Sequence, residues 1–113
     1  MKQVDSISVA ELMEMAKKMY GGLVKAVVDI KKEKLVVDAN MHADEEAFLL
    51  EKGSRQEDLW GINFHPSKFG TEEFIEYDSM VNIRPRQSNM SRGVENEAIR
   101  RKIIELVGKK VKK

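Results

Sequence analysis

Leu23-Val24-Lys25-Ala26-Val27-Val28-Asp29-Ile30, then Lys31-Lys32-Glu33, then Lys34-Leu35-Val36-Val37-Asp38-Ala39, is the stretch whose reading decides the fold. Two runs rich in Val, Leu and Ile flank a short charged link. Branched side chains of this kind suit a pleated, half-buried surface. The pattern predicts a β-hairpin. The link lacks an Asn-Gly pair, so the turn type stays open. Alternation places Val24, Ala26, Val28 and Ile30 of the first run on one face, with Leu35 and Val37 of the second.

Upstream, Ser8-Val9-Ala10-Glu11 has the spacing of a capping box, and Ile7 and Leu12 suit a hydrophobic staple. Leu12, Met15, Ala16 and Met19 follow at helical spacing, and Gly21 supplies a stop. A helix over about 9–20 is expected. Downstream, Asn40 or His42 opens a second helix with Asp44, Glu45 and Glu46 in its first turn, where the dipole favours negative charge. Its buried stripe reads Ala43, Ala47 and Leu50, and Gly53 ends it. Leu59 to His65 reads as a third strand stopped by Pro66, and Glu73 to Arg84 as a fourth, longest strand stopped by Pro85. Arg86 to Glu95 is a polar loop. A last helix runs from Asn96 to Val107, with Ile99, Ile103, Leu106 and Val107 inward. The basic tail at 109–113 is expected to fray.

The order is α-β-β-α-β-β-α. The fold class is α+β: a four-stranded, mainly antiparallel sheet with helices packed on one face, as a single domain over 1–113. Trp60, Ile62, Phe64, Ile75, Tyr77, Val81 and Ile83 join the hairpin's core set. The other face, carrying Lys25, Asp29, Asp38, Asn63, His65, Asp78, Asn82 and Arg84, is expected to stay open to solvent.

The 113 residues hold 20 Lys and Arg against 19 Asp and Glu, a balance that argues against non-specific coating of nucleic acid. With no cysteine, disulfides, thiolate metal sites and a cysteine nucleophile are excluded. No apolar run is long enough to span a bilayer, and Met1 to Ser8 lacks the apolar core of a secretion signal. A cytoplasmic protein without membrane contact is expected. Walker, dinucleotide and EF-hand motifs are missing, so ATP- or NAD-dependent chemistry of the usual kinds is not expected, and the cofactor is unknown from the sequence.

Two blocks carry a resemblance. One runs His42-Ala43-Asp44-Glu45-Glu46, Leu49-Leu50-Glu51, then Gly53-Ser54-Arg55-Gln56-Glu57-Asp58-Leu59-Trp60-Gly61-Ile62-Asn63. The other is Asn82-Ile83-Arg84-Pro85 with Asn89, Ser91, Arg92, Gly93 and Val94. Together they resemble a family of small prokaryotic proteins known only as a domain of unknown function, from about Leu23 to Val107. The resemblance implies a single domain and brings no activity with it. Asn96-Glu97 stands where the family pattern has Asp-Pro, and Ser88 stands where it has Gly.

Two constellations bear on chemistry. Arg84, Arg86 and Arg92 lie among Gln87, Asn89 and Ser91, close in sequence to Asn82. Guanidinium groups grip phosphate or carboxylate bidentately, and amides and hydroxyls complete such a shell. With Asn63 on the neighbouring strand they form the expected ligand-binding set. His42, Asp44, Glu46 and His65 are the catalytic candidates, since histidine and carboxylates serve acid/base work. Their spacing matches no metal motif, so no metal is assigned. Trp60 reads as core in preference to a stacking platform.

The leading reading is a small binding or regulatory module that recognises an anionic, phosphate-bearing ligand or a nucleic-acid segment through the Arg-rich loop. The alternatives are a small His/carboxylate hydrolase or lyase, and a homodimeric protein-interaction domain using an exposed edge or face.

Overall fold

The computed structural model describes residues 1–19 and 21–113. Its elements are strands β1 (Lys2–Val4) and β2 (Ile7–Ser8), helix α1 (Val9–Ala16), strands β3 (Val24–Asp29) and β4 (Lys34–Val37), helix α2 (His42–Glu51), strands β5 (Leu59–Phe64) and β6 (Ile75–Glu76), helix α3 (Glu97–Lys110) and strand β7 (Val111–Lys112). The capping box at α1 is formed: the Glu11 N–H donates to Ser8 Oγ at 3.1 Å and the Ser8 N–H to Glu11 Oε1 at 3.3 Å. The helix is shorter than expected, and residue 20, the end of the expected span, lies outside the described residues.

The hairpin forms as read, with Val28 opposite Leu35 and Ala26 opposite Val37. Buried Asp29 fastens its turn. One carboxylate oxygen accepts the Lys31 and Lys32 N–H groups at 2.9 and 2.8 Å, and the other accepts the Ser54 hydroxyl at 2.6 Å. An Asp that satisfies turn amides in this way replaces the missing Asn-Gly chemistry.

The sheet has five strands, not four, in the order β1-β4-β3-β5-β6, antiparallel throughout. The added edge strand is β1, too short to leave a periodic signal. A second, two-stranded parallel sheet joins β2 to β7, so the basic tail is tied down by buried Val111 rather than frayed.

The long fourth strand is a correction. Only Ile75–Glu76 pairs with β5; Met80–Asn82 and Pro85–Gln87 are 3-10 turns. Ser79 Oγ accepts the Val81 N–H and competes with strand pairing. The 79–82 turn also crosses close above Gly61, where a Cβ would sit 2.6 Å from Ser79 Oγ and 2.9 Å from Val81 Cγ2. The chain therefore packs over β5 instead of continuing beside it.

The period-2 sorting of the first three strands holds. Val24, Ala26, Val28, Leu35, Val37, Trp60, Ile62 and Phe64 pack in one cluster with Leu12, Met15, Ile103, Leu106 and Val107 of α1 and α3. Ile83, expected inward, is exposed. The opposite face is not open. There α2 lays Leu49 and Phe48 on Val27, Val36 and Leu59 in a second cluster, so helices cover both faces. The buried side of α2 is His42, Glu45 and Leu49, not Ala43, Ala47 and Leu50.

Candidate functional site

The loop from Ser79 to Glu95 is held by the polar side chains expected to hold a ligand. Arg84 and Asn89 form an antiparallel bridge, Arg84 N–H to Asn89 O at 2.8 Å and Asn89 N–H to Arg84 O at 3.1 Å. The Arg84 guanidinium is buried 4.1 Å from the centre of the Trp60 ring, donates to the Gln56 and Leu59 carbonyls, and reaches Gln87 Oε1 at 3.0 Å. Burial disfavours its charged form, and Glu46 nearby opposes that effect. Trp60 is core, as expected.

Asn82 exchanges both amide bonds with the Gly61 backbone, at 2.8 and 2.9 Å, and donates to the Arg92 carbonyl. Asn89 donates to the carbonyls of Asn82, Ser91 and Gly93 and accepts the Glu95 N–H. Gln87 donates to the Glu57 carbonyl, Ser91 Oγ accepts the Gly93 N–H, and Arg92 pairs with Asp78 at 2.6 Å. Among the described residues only Arg86 of this set has no side-chain hydrogen bond or ion pair, and it is exposed. Where a converging anion cradle was expected, the Arg84 guanidinium turns into the loop and Arg92 pairs with a carboxylate. Most of these donors serve the carbonyls of a loop that has little apolar core, because buried carbonyls must find partners, while Arg84 Nε is left without one.

The catalytic candidates do not assemble either. His42 is buried under α2, with Nε2–H donating to the Ile62 carbonyl at 2.8 Å, and burial lowers its pKa. Asp44 lies in a shallow depression with Asp38, Ala47 and Glu51, while His65 lies in another with Lys68, Glu73 and Glu76. His65 and Asn63 share one oxygen of Glu76, at 3.2 and 2.9 Å. Glu46 keeps one buried oxygen without a partner. Among the described residues no group of three metal-ligating side chains converges.

The sequence reading gave Glu45 the role of a negative charge facing the helix dipole in the first turn of α2. The residue is fully buried, accepts the Ala39 N–H at 3.2 Å, and leaves its second oxygen unpartnered. Burial pushes its pKa up to about 9, so it is protonated at neutral pH.

A larger concavity than the depressions at Asp44 and His65 lies elsewhere, between α3 and the segment from Phe69 to Tyr77. This open groove of about 850 Å³ is lined mainly by apolar side chains, among them Phe69, Phe74, Ile75, Ile104 and Val107. Phe74 stacks on Phe64 and meets the edge of Phe69, which fixes one wall. Arg100 and Tyr77 sit together at the groove. The guanidinium lies 4.6 Å from the centre of the Tyr77 ring and donates through Nε to the Val94 carbonyl. Arg100 pairs with no carboxylate among the described residues, and Glu72 also lines the groove. One sequence signal pointed here. Ile104 is apolar yet lies off the inward stripe of its helix, and it is 54% exposed.

A family model described as a protein of unknown function (DUF5674) matches residues 3–110. The chain belongs to that family. The DUF5674 match extends the resemblance seen in the two motif blocks through β1 and α1 at one end and to the end of α3 at the other. No curated protein and no solved structure matches the chain. Among the described residues no helix is long and apolar enough to cross a membrane. DUF5674 brings no activity, so function has to be argued from the groove, the loop and the buried carboxyl themselves.

Proposed function

We propose that this protein is a small ligand-binding module whose groove between α3 and the 69–77 segment takes an amphipathic anion. The observation that carries the reading is Arg100: a guanidinium stacked on Tyr77, tethered to a backbone carbonyl and free of any acidic partner among the described residues, beside an apolar groove. A pre-positioned cation loses little freedom on binding an anion. The groove volume is in the range of ligand pockets, which are mostly apolar with a few fixed polar groups. Phe74, Ile104 and Val107 would take the apolar body. Glu72 on the same lining disfavours a second negative charge, so a carboxylate suits this groove better than a phosphate dianion or a nucleic-acid backbone. The anionic ligand expected from the sequence is thus retained, with its anchor moved from the Arg-rich loop to α3. The hydrolase reading gains no support from the separated positions of His42, Asp44 and His65.

Titration with decanoate and with decanol, followed by amide chemical shifts, tests the proposal. Decanoate should bind about tenfold more tightly than decanol, the worth of roughly 1.4 kcal/mol. Arg100→Gln should erase that difference, and Ile104→Glu should weaken both ligands. Equal affinity of the parent protein for acid and alcohol, or no shift in the groove with either, would sink it.

A further inference from the structure

Gly108 is a residue of α3 that the fold itself does not ask for. The helix runs past it to Lys110, and the Val111 N–H still donates to the Val107 carbonyl, so this glycine does not end the helix. Its φ is not positive, so the backbone conformation does not select it. No neighbour crowds it either: a Cβ there would meet nothing within 4 Å outside its own helix. Gly70, also on the groove's lining, has a local reason, since the chain turns there at φ +90°. Glycine is the least favourable helix residue after proline. Gly108 thus weakens α3 with no local compensation, and it lies on the lining of the groove.

Arg100, Ile104 and Gly108 follow one another at four-residue steps, so they share one stripe of the helix, and all three line the groove. Along that stripe the wall changes from a guanidinium to a branched apolar side chain and then to bare backbone. Eight residues of α-helix rise about 12 Å. Arg100 is the one cation among the described residues of the lining. Its Nε is engaged with the Val94 carbonyl, and its terminal nitrogens have no hydrogen-bond partner among the described residues. A carboxylate accepts from such a pair of N–H groups. The lysines beyond the other end are engaged outside the groove: Lys109 with Glu33 at 3.1 Å, Lys110 with Asp5 at 4.0 Å and Lys112 with the Gly108 carbonyl at 3.5 Å. Glu72 is the one acid among the described residues of the lining, and a carboxylate placed beside it would be repelled. The head of an anion therefore belongs at Arg100, and its tail runs toward Gly108.

We propose that Gly108 sets the length of chain the groove accepts and that the ligand is a medium-chain aliphatic carboxylate, a step that rests on the function proposed above. The carboxylate meets Arg100, the methylenes pass Ile104 and Val107, and the terminal methyl lies on the exposed helix backbone at Gly108. The spacing of about 12 Å matches the reach of an extended decanoate. Each methylene that enters the groove leaves water, so affinity climbs with chain length until residue 108 is reached. A side chain at 108 would stand where the last carbons lie.

Titrations of the full chain with hexanoate, octanoate and decanoate, followed by amide chemical shifts, read the dependence on length. In the parent protein each added pair of carbons should tighten binding by about fivefold or more. Gly108→Leu changes an exposed helical position, so the variant should fold and melt at a higher temperature. Its decanoate-to-hexanoate affinity ratio should fall by about fivefold or more. An intermolecular NOE from the decanoate methyl to the Gly108 Hα protons reads the far end in the parent protein itself. A methyl with no contact to Gly108, or an affinity ratio that Gly108→Leu leaves unchanged, overturns the role of Gly108 while leaving intact the preference for decanoate over decanol and its loss in Arg100→Gln. A lower melting temperature for Gly108→Leu overturns it too, since the fold itself would then require this glycine. Failure of all three acids to bind overturns the groove reading as well.

Discussion

Ser88 holds φ 59° and ψ 26° at the end of the 85–87 turn, a left-handed conformation that any Cβ makes costly. The position needs this geometry because the Ser88 N–H donates to the Pro85 carbonyl while Asn89 returns to bridge Arg84. Glycine, which the resemblance leads one to expect here, adopts it without steric cost. Ser88→Gly should therefore raise stability by about 0.5–1 kcal/mol, the left-handed strain offset in part by the greater freedom of glycine in the unfolded chain. Urea unfolding of the two proteins measures this, and an unchanged or lower midpoint would show that the turn is not strained. Other residues at this scale were legible by type but not by role. The sequence marked Asn82, Arg84 and Asn89 as polar groups of unusual density. That their partners are the carbonyls of Gly61, Leu59 and Gly93, rather than a guest, depends on which backbone lies against them.

At the scale of elements, the capped and the locally alternating segments were readable and the ones shaped by neighbours were not. Ser8 and Glu11 close α1, and Asn96 opens α3 by accepting the Ile99 N–H at 3.1 Å, because both contacts lie within one turn of chain. Glu97 is the first residue of α3, and Asn96 before it is extended at φ −83° and ψ 118°. Both facts suit a proline at 97: the first helical N–H needs no partner within the helix, and the preceding residue is already in the region proline requires. Glu97→Pro should stabilise the protein by about 0.4–1 kcal/mol through the unfolded chain. A thermal melt of the variant checks it, and a lowered midpoint would mean that the entry to α3 differs from the one described. Helix α2 was misread because Ala43, Ala47 and Leu50 make a plausible stripe. The helix instead turns His42, Glu45 and Leu49 to the sheet, since Leu49 has an apolar seat among Val27, Val36 and Leu59. The 73–84 strand was misread because alternation at Ile75 and Tyr77 says nothing about the turn that Ser79 starts and Gly61 admits.

For the whole molecule, covering both faces of the sheet puts two titratable groups under α2 and gives the fold a pH dependence. Glu45 has its pKa raised from an ordinary 4.5 to about 9, so between those values the folded state keeps a proton that the unfolded chain releases. Stability should fall as pH rises through that window, by up to about 1.4 kcal/mol per unit, and level off above it. His42 acts in the other direction. Its pKa is lowered from 6.5, so the unfolded chain binds a proton that the folded state refuses, and stability falls as pH drops below that value. The two effects oppose one another between 4.5 and 6.5, and above 6.5 Glu45 acts alone. Unfolding free energy should therefore decline steadily from pH 6.5 to 9, and Glu45→Gln should flatten that decline. A parent protein equally stable at both ends would show that Glu45 is already ionised in the native state.

The amino-acid order alone determined what lies within a few residues of chain. It set the 23–39 hairpin, the caps of α1 and α3, the inward set on the first three strands, and membership of an α+β class, because alternation and capping are satisfied locally. Tertiary structure decided the fifth strand, the anchoring of Val111 against Ile7, the face on which α2 lies, and the inward use of the loop arginine and asparagines. Each of these depends on which distant backbone or apolar patch comes to lie opposite a side chain. A hydrogen-bond donor carries the same sequence signature whether it meets a carbonyl of its own chain or a ligand.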